Sequence, residues 1–582
     1  MLNIFKNVNK IFLQKDKKNL LKVVLLKSIL GIFEVISVVS FVPFFYFISD
    51  KNFLNENVYV QEFNNYFNLN YTELTLFVII LPILTLLLLN FYRLYTNWIE
   101  VKTVNNIWRS YHSNLFNYYL SKPYLYHIEN GSNFLLNNFI SRANEALTGL
   151  MIPSYLLIGS IMTSFILVFA IILYNPTVSF VSILFILVFY FTLFKFLKKK
   201  VDEFSVFSPI FSQRTFKIVE ESFKSIKSIK ISGNKNFFNN QFDNNAKIYA
   251  NNSISVQFLS TTPKAAIEIF AYLLIFFLTF FYMHVIDQNI SKIIVVISVY
   301  LITLQKLIPI INDLFTKYYT ILKNKHTFEI MRGDLEQSEL LSIKNNKGED
   351  HLNKINFKKI ILAENIIFSY NQKNLFTLKI DKFRIEKGEV LGITGESGSG
   401  KSTFLNILTG LLNSSQGNIT VDNTTIKDEY LIKSYQNLIG YLPQNIFILN
   451  DSIKKNIAFG EDDKKIDMER IKAVTKLACI DDYIENNLPS KYETEVGENA
   501  IKLSGGQRQR LGIARLLYSN KEIMIFDEAT NSLDEDTEIK IITNILSQKD
   551  KTIILVTHNS RLLRKIKRVI HFQNGRLFEK NS

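Results

Sequence analysis

The chain has little cysteine: Cys479 is the only one among its 582 residues. No disulfide bond can therefore form within the chain, and Cys479 is most simply explained as a buried apolar residue. A cleavable signal peptide is also missing, because the first apolar run is too long for one and no small-residue cleavage site follows it. We expect neither a disulfide scaffold nor a removed leader.

The chain has no shortage of apolar residues or of charge. It is 48% hydrophobic and 13% aromatic, yet 20% of its residues are charged, which indicates one apolar half and one water-soluble half. The net charge of +15 is compatible with binding to nucleic acid or to a membrane surface. The lysines, however, are concentrated in segments expected on the cytoplasmic side of a membrane, which is enough to account for the positive charge. We therefore expect no nucleic-acid partner.

Six apolar runs are long enough to cross a bilayer, which takes about 20 residues. They fall at about 20–48, 74–97, 148–174, 177–197, 260–285 and 293–313. The alternative, a set of buried globular helices, does not easily account for six such runs. Lysines are concentrated in the N-terminal segment and at 198–258, whereas the connection 49–73 is acidic. This asymmetry predicts a multi-pass protein of the inner (cytoplasmic) membrane with a cytoplasmic N-terminus.

The lengths of the internal connections carry further information. The connections 98–147 and 198–258 are far longer than the structureless loops of compact domains, and both show helical patterning. We therefore expect the membrane helices to continue into the cytoplasm in pairs.

The pattern changes near residue 355, where short apolar strands begin to alternate with helices. This alternation is typical of a parallel α/β sheet. The sequence thus predicts a six-helix transmembrane domain with long cytoplasmic extensions at 1–335, a polar linker at 336–356 and an α/β P-loop ATPase domain at 357–582.

The stretch GESGSGKS at 395–402 matches the phosphate-binding pattern G-x-x-x-x-G-K-[ST] and lies between an apolar strand and a helix. Its backbone N–H groups and the helix dipole would hold phosphate. A Gly/Ser-rich surface turn is the simpler alternative, but the strand-to-helix context argues against it. The residues predicted to bind ATP here are Gly395, Glu396, Ser397, Gly398, Ser399, Gly400, Lys401, Ser402 and Thr403.

Paired carboxylates end the apolar strand IMIFDE. We expect Asp527 to hold Mg²⁺ together with Ser402 and Gln444, and Glu528 to act as the general base toward water. Gln444 and His558 each follow a strand and could reach a γ-phosphate. The predicted catalytic residues are Glu528, His558 and Gln444.

A second anion site is predicted at LSGGQ, residues 503–507. Its Ser504, Gly505, Gly506 and Gln507 open another helix, where bare N–H groups and a hydroxyl favour phosphate. One chain therefore carries two half-sites for phosphate.

These motifs, in this order and spacing, resemble the nucleotide-binding domain of ATP-binding-cassette (ABC) transporters over nearly all of 358–580. The resemblance implies that GESGSGKS is Walker A, IMIFDE is Walker B, LSGGQ is the signature, SLD at 532–534 is the D-loop and His558 is the switch histidine. It also implies that Tyr370 stacks on adenine, that ATP and Mg²⁺ are the cofactors, and that two cassettes close head to tail so that Ser504 acts in trans.

Six spans followed by a cassette resemble the half-transporter layout of ABC exporters. The resemblance implies a homodimer, with a heterodimer left open, a cytoplasmic cassette, and coupling helices at about 124–135 and 230–240. Several segments are similar to bacterial lipid-linked oligosaccharide flippases. We therefore expect an ATP-driven exporter or flippase for an amphiphile, in contact with membrane lipid. A lipid, peptide or drug exporter remains an alternative, as does a non-transport ATPase or regulated channel.

Charged residues within spans are candidates for the substrate path. They are Lys27, Glu34, Arg93, Lys264, Glu268 and Lys306. We expect Arg93 to snorkel to the interface and Lys306 to face the central cavity or a carboxylate such as Glu34. Lys264 and Glu268, four residues apart, either pair or contribute to substrate binding.

Overall fold

The computed structural model describes residues 2–50, 53–174, 176–281, 290–345, 355–370, 377–497, 503–548 and 550–580. The chain divides into two compact units. The N-terminal unit comprises Met1–Lys122 and His127–Gly348, and the C-terminal unit comprises Glu349–Ser582 together with Pro123–Tyr126. Three residues of this short segment, Tyr124–Tyr126, lie within the coupling helix predicted at 124–135.

All secondary-structure elements among the described residues of the N-terminal unit are helices, joined by short turns. Its helices are α1 (Leu2–Ile11), α2 (Gln14–Ser49), α3 (Phe53–Glu56), α4 (Val58–Phe67), α5 (Tyr71–Leu120), α6 (Tyr124–Asn137), α7 (Ala143–Ala146), α8 (Ile152–Tyr174), α9 (Pro176–Lys224), α10 (Ile226–Ser232), α11 (Lys235–Phe281), α12 (Ile290–Lys323) and α13 (Lys325–Asn345). Two π-helical turns, Asn138–Arg142 and Leu147–Met151, flank α7.

Within the described residues, four helical stretches are long and apolar enough to cross a membrane. They are Gln14–Ser49, Tyr71–Leu120, Tyr124–Tyr174 and Ile293–Lys323. These contain the predicted runs 20–48, 74–97, 148–174 and 293–313. The predicted run 177–197 falls on α9, and residues 260–281 of the last predicted run, 260–285, fall on α11. Many side chains of both stretches, and all of residues 282–285, lie outside the described set. The structure thus gives the helical architecture without fixing the number of spans at six.

Three helices are much longer than a bilayer requires. Helices α5, α9 and α11 contain 50, 49 and 47 residues, and at 1.5 Å per residue each is about 70 Å long. The hydrocarbon core of a bilayer is only about 30 Å thick. The connections at 98–147 and 198–258 are largely helical, as the sequence predicts. That these helices continue from the membrane into the cytoplasm remains a prediction.

Small residues bring α2 and α8 into close contact. A Cβ atom on Gly31 would lie 3.2 Å from Cα of Thr163, and one on Gly159 would lie 3.1 Å from Cδ of Lys27. The Thr163 hydroxyl donates a 3.0 Å hydrogen bond to the carbonyl of Lys27. Close backbone approach over small residues is the usual way in which membrane helices associate.

The predicted linker at 336–356 begins inside a helix, because α13 continues to Asn345. Its polar side chains suggest a linker when composition alone is considered, but they pair with polar residues of α5. Asn114 donates a 3.0 Å hydrogen bond to Glu339, and the Tyr118 hydroxyl donates a 2.5 Å bond to Gln337. Residues 346–354 lie outside the described set.

The C-terminal unit contains two sheets. Its strands are β1 (Ile360–Phe368), β2 (Leu378–Glu386), β3 (Val390–Gly395), β4 (Gln416–Val421), β5 (Thr424–Thr425), β6 (Ile439–Leu442), β7 (Ile523–Asp527), β8 (Thr552–Val556), β9 (Arg568–Gln573) and β10 (Arg576–Lys580). The smaller sheet is antiparallel, in the order β2-β1-β4-β5. The larger has the order β10-β9-β3-β8-β7-β6, with all pairs parallel except β10–β9.

Helices surround these sheets. They are α14 (Lys401–Leu408), α15 (Glu429–Gln436), α16 (Ile453–Ile457), α17 (Met468–Leu477), α18 (Asp481–Asn487), α19 (Gly505–Ser519), α20 (Glu535–Leu546) and α21 (Ser560–Leu563). Strands β7 and β8 are buried at every position. Their sequences are accordingly almost continuously apolar, as is usual for the central strands of a parallel sheet. Cys479 is a free thiol packed beside the core. It is half-buried, whereas the sequence predicts a buried residue.

Candidate functional site

Four neighbouring parallel strands end at one edge of the larger sheet. Strand β3 ends at Gly395 in the phosphate loop, β7 ends at Asp527 with Glu528 next, β8 is followed by Thr557 and His558, and β6 is followed closely by Gln444. In open α/β sheets, ligands bind outside these carboxyl ends. The topology therefore brings distant motifs to a single site.

The phosphate loop needs glycine at two positions. Gly395 has φ +150°, and a Cβ atom there would lie 2.3 Å from the carbonyl oxygen of Phe572. Gly400, the N-terminal cap of α14, has φ +106°, a backbone conformation that residues with a Cβ atom rarely adopt. The loop backbone is thus free to turn its N–H groups toward an anion.

Lys401 is buried, and its ammonium is held by the loop itself. Its Nζ donates to the carbonyl of Gly395 at 2.6 Å and to that of Glu396 at 2.9 Å, and lies 4.0 Å from Oε1 of Glu528. The exposed residues Ser397 and Gly398 form the tip of the loop. The positive charge therefore sits between the loop and the carboxylate.

The loop fits a phosphate group in two further respects. The Ser399 hydroxyl is buried and has no hydrogen-bond partner among the described residues. Ser402 and Asp527 are hydrogen-bonded to each other, which places two hard oxygen donors together, as Mg²⁺ prefers. Among the described residues no cluster of three His, Cys, Asp or Glu side chains could hold a metal by itself.

Asp527 is buried at the end of β7. Burial raises the pKa of Asp527, while hydrogen bonds from Tyr441 and Ser402 oppose that rise. The Tyr441 hydroxyl donates at 2.9 Å to Oδ2 of Asp527. A cation bound at this carboxylate would favour its charged form in the same way.

Glu528 is the centre of a polar cluster. Gln444 donates to its Oε2 at 2.8 Å, and Nε2 of His558 lies 3.2 Å from its Oε1. Asn531 also donates to Oε2, at 3.1 Å. Sequence reasoning missed Asn531, although its position three residues after Glu528 is a signal that could have found it. Three predicted catalytic residues are thus in direct contact.

The backbone of Glu528 is strained as well. Its φ is +50°, in the left-handed region that a residue other than glycine seldom adopts. Such strain persists where the surroundings enforce it and is concentrated at functional sites.

The signature forms the N-terminus of α19. Ser504 caps this helix in a reciprocal arrangement with Gln507, in which Gln507 N–H donates to the Ser504 hydroxyl at 3.3 Å and Ser504 N–H donates to Gln507 Oε1 at 2.8 Å. Gly505 and Gly506 lie against Ser532 of the D-loop, whose N–H donates at 2.9 Å to Gln509. Among the described residues, the signature therefore packs against the turn after β7, and its helix is hydrogen-bonded to that turn through Gln509.

Tyr370 lies just after β1, near the phosphate loop. Its hydroxyl is 3.4 Å from that of Thr403, and its ring contacts Phe368 edge to face. An aromatic face beside the loop fits the predicted contact with adenine, which remains a prediction.

The charges within the membrane helices correct one prediction. Arg93 does not snorkel to the interface but forms an ion pair with the buried carboxylate of Glu34, because both side chains line the same polar cavity. Lys306 Nζ lies 2.7 Å from the other oxygen of Glu34, so the prediction that Lys306 faces a carboxylate is confirmed. Glu268 is exposed on α11. The side chain of Lys264 lies outside the described set.

Comparison with known proteins agrees with this geometry. Residues 378–531 match the ABC transporter family. A 372-residue region, 63% of the chain, is 28% identical to the ATP-dependent lipid A-core flippase of Coxiella burnetii, of which it spans 60%. A 218-residue region is 38% identical to a Staphylococcus aureus protein named as a multidrug export ATP-binding/permease protein, and spans 37% of each chain.

One solved structure has the same fold across almost the whole chain. The structure of a bacterial Atm1-family ABC exporter with ATP bound superposes with a TM-score of 0.75, covering 98% of this chain and 96% of that one at 20% identity. The chain therefore has the ABC exporter fold, with a helical membrane domain and an α/β nucleotide-binding domain.

Proposed function

We propose that this chain, a membrane domain and an ABC transporter domain joined in the fold of an exporter half, is an ATP-driven exporter or flippase. The observation that carries the proposal is the cluster on Glu528, which places a carboxylate, Gln444, His558 and Lys401 together at the carboxyl edge of the sheet. A cassette used only as a binding switch would not need this complete hydrolytic set.

The chain's own residues account for the hydrolytic step. The Lys401 ammonium and the N–H groups of the phosphate loop bind and orient the phosphates, and Glu528 accepts a proton from the attacking water. Gln444, Asn531 and His558 fix the orientation of the Glu528 carboxylate through its two oxygens. Ser402, Gln444 and Asp527 would hold Mg²⁺, which offsets phosphate charge when bound.

We propose further that two copies act together. Ser504 caps α19 at an exposed position, and together with the two glycines that begin this helix it can meet the phosphate loop of a second cassette. Closure around ATP and opening after hydrolysis would shift the membrane helices between inward and outward access. A homodimer with two equivalent sites is the simplest assembly.

For the substrate we propose a lipid-linked oligosaccharide. The support is the similarity of several membrane-domain segments to flippases of that class, together with a polar, charged cavity among the membrane helices. The Coxiella burnetii relative is named as a flippase of another glycolipid, lipid A-core.

Reconstitution tests this function. Purified protein in liposomes is given labelled lipid-linked glycans, phospholipids, peptides or drugs, and movement of each label is followed with ATP, without ATP and with a Glu528→Gln control. We expect ATP-dependent translocation of the lipid-linked glycan and none with Glu528→Gln. Translocation of only another class would overturn the substrate assignment, and the absence of ATP hydrolysis in the wild-type protein would overturn the transport function itself.

A further inference from the structure

Three membrane helices each place two opposite charges seven residues apart: Lys27 and Glu34 on α2, Arg93 and Glu100 on α5, and Lys306 and Asp313 on α12. All six side chains line one cavity of about 800 Å³. Seven residues of helix rise about 10 Å. The charges therefore form two layers, which we name the Glu34 layer (Glu34, Arg93, Lys306) and the Lys27 layer (Lys27, Glu100, Asp313, with Lys317 from α12).

The Lys27 layer is balanced. Lys27 Nζ lies 2.7 Å from Oε2 of Glu100, and Asp313 forms an ion pair with Lys317. Ser160 from α8 donates to Asp313 and accepts a 3.0 Å hydrogen bond from Lys317. Two cations and two carboxylates leave no net charge, so this layer has no need of an anion.

The Glu34 layer is not balanced. The carboxylate of Glu34 is shared by Arg93 on one oxygen and Lys306 on the other, which leaves one positive charge in excess. Lys306 also donates at 3.1 Å to the Ser37 hydroxyl. A net charge inside a membrane domain is costly unless a partner neutralises it.

The two cations of the Glu34 layer, Arg93 and Lys306, differ in their exposure. The Arg93 side chain is 44% exposed, whereas those of Lys306 and Glu34 are 12% and 4% exposed. A ligand entering the cavity therefore meets Arg93 first. Its guanidinium is a planar fork that suits phosphate oxygens.

The surroundings of Arg93 change from polar to apolar along the helices. Asn90, Asn97 and Gln305 line the same cavity and supply hydrogen-bond donors beside Arg93. Within about two turns after Glu34 along α2, Val35, Val39 and Val42 line a small apolar pocket shared with Leu167 of α8 and Val299 of α12. A polar site thus adjoins an apolar one along the same helices.

We propose that the Glu34 layer binds the anionic phosphate group of an amphiphile, with Arg93 as the accessible cation and Glu34 as the carboxylate that the phosphate displaces. Glu34 thus acts as an internal competitor for the ligand. This inference rests on the proposed transport function and names the headgroup chemistry of its substrate.

Binding in the absence of nucleotide tests it separately from ATP hydrolysis. Full-length protein in neutral detergent is titrated by calorimetry with short-chain phosphatidylglycerol, with phosphatidylcholine of equal chain length and with inorganic phosphate. We expect phosphatidylglycerol to bind most tightly. Equal binding of phosphatidylcholine would overturn the charge argument, and equal binding of inorganic phosphate would overturn the amphiphile.

Two variants should change the affinity for phosphatidylglycerol in opposite directions. Arg93→Gln should weaken phosphatidylglycerol binding by about tenfold, the factor expected for one lost charge-assisted hydrogen bond, while Glu34→Gln should strengthen it. Lys102→Gln removes an exposed cation from the same helix and should change nothing. Unchanged binding in Arg93→Gln, which keeps the Glu34–Lys306 pair, would overturn the proposal even if Glu34→Gln fails to fold.

If ATP hydrolysis is normal while these affinities do not change, the headgroup site fails and the transport function stands. If the affinities shift as expected in a protein that hydrolyses no ATP, the headgroup site stands and the transport function fails. The two failures are therefore distinguishable.

Discussion

Nε2 of His558 lies 3.2 Å from Oε1 of Glu528, although the two residues follow different strands of the sheet. Gln444 and Asn531 hold the other oxygen of the same carboxylate. The orientation of Glu528 is thus fixed on both sides by residues whose loss should lower the rate without abolishing nucleotide binding.

Asn531→Ala should reduce the kcat of ATP hydrolysis by about fivefold, since one hydrogen bond to the base is lost. ATP affinity should be unchanged, because Asn531 contacts Glu528 and not the phosphate loop in the described structure. In a Glu528→Gln background the same change should have little further effect, because the two residues act as a unit. Fully additive losses would show that Asn531 acts elsewhere.

Sharing of sites between protomers predicts a difference between two mixed dimers. Lys401→Ala in one protomer with Ser504→Arg in the other damages a single composite site and should keep about half of the ATPase activity if the sites are independent. Both changes in one protomer damage both sites and should remove nearly all activity. The measurement is the ATPase rate of differentially tagged, co-purified dimers; equal rates in the two arrangements would argue against head-to-tail sharing.

Lys306→Gln should lower thermal stability, since Glu34 loses one of its two cations. Breaking a buried ion pair costs about 3–5 kcal/mol, and the retained Arg93 contact should make the loss smaller. Glu34→Gln in the same chain should recover part of the stability by removing the buried charge. Differential scanning fluorimetry against Lys102→Gln checks this, and an unchanged Tm in Lys306→Gln would contradict a structural role of the pair.

Glu339 on α13 should make the stability of the membrane domain depend on pH. Burial, the largest cause, raises the pKa of Glu339 from 4.5 to about 7, and the nearby Asp16 adds to the effect while the Asn114 hydrogen bond opposes it. Between these values the folded state keeps a proton that the unfolded state has released. Stability should therefore fall as pH rises from about 4.5 to 7, by up to about 3 kcal/mol, and change little above that.

Glu339→Gln should remove this dependence and raise the Tm at pH 8 relative to the wild type. Glu336→Gln, on the exposed face of the same helix, is the matched control and should leave the pH profile as it is. A wild-type Tm that stays constant between pH 5 and pH 8 would contradict a buried, protonated Glu339.

The cassette could be predicted in detail because its chemistry is encoded in short segments. Each of Lys401, Asp527 and Glu528 lies in a motif whose position at a strand end follows from its neighbours. Their meeting at one edge follows from the parallel order of the strands. Asn531 was missed because only the motif residues were considered, although its position three residues after Glu528 places it within reach of that carboxylate.

The membrane domain was less predictable because its polar residues are paired by tertiary contacts. Arg93 and Glu34 are 59 positions apart, so no local pattern indicates their ion pair, and hydropathy alone suggests snorkelling. Likewise, the polar composition of α13 predicted a linker, but this segment is a helix whose polar side chains form hydrogen bonds with residues of α5. The seven-residue spacing of the six cavity charges is visible in the sequence, but only the shared cavity shows that they face one another.

The central claim is that Glu528 is the base of an ATP-hydrolysing site that drives transport. The direct measurement is the ATPase rate of Glu528→Gln alongside its ATP affinity, with Glu522→Gln at the opposite end of β7 as the control. We predict a rate lower by about 10²–10⁴-fold, wild-type ATP binding, and a closed ATP-loaded dimer, with normal turnover in the control. Near-normal turnover in Glu528→Gln would contradict the account.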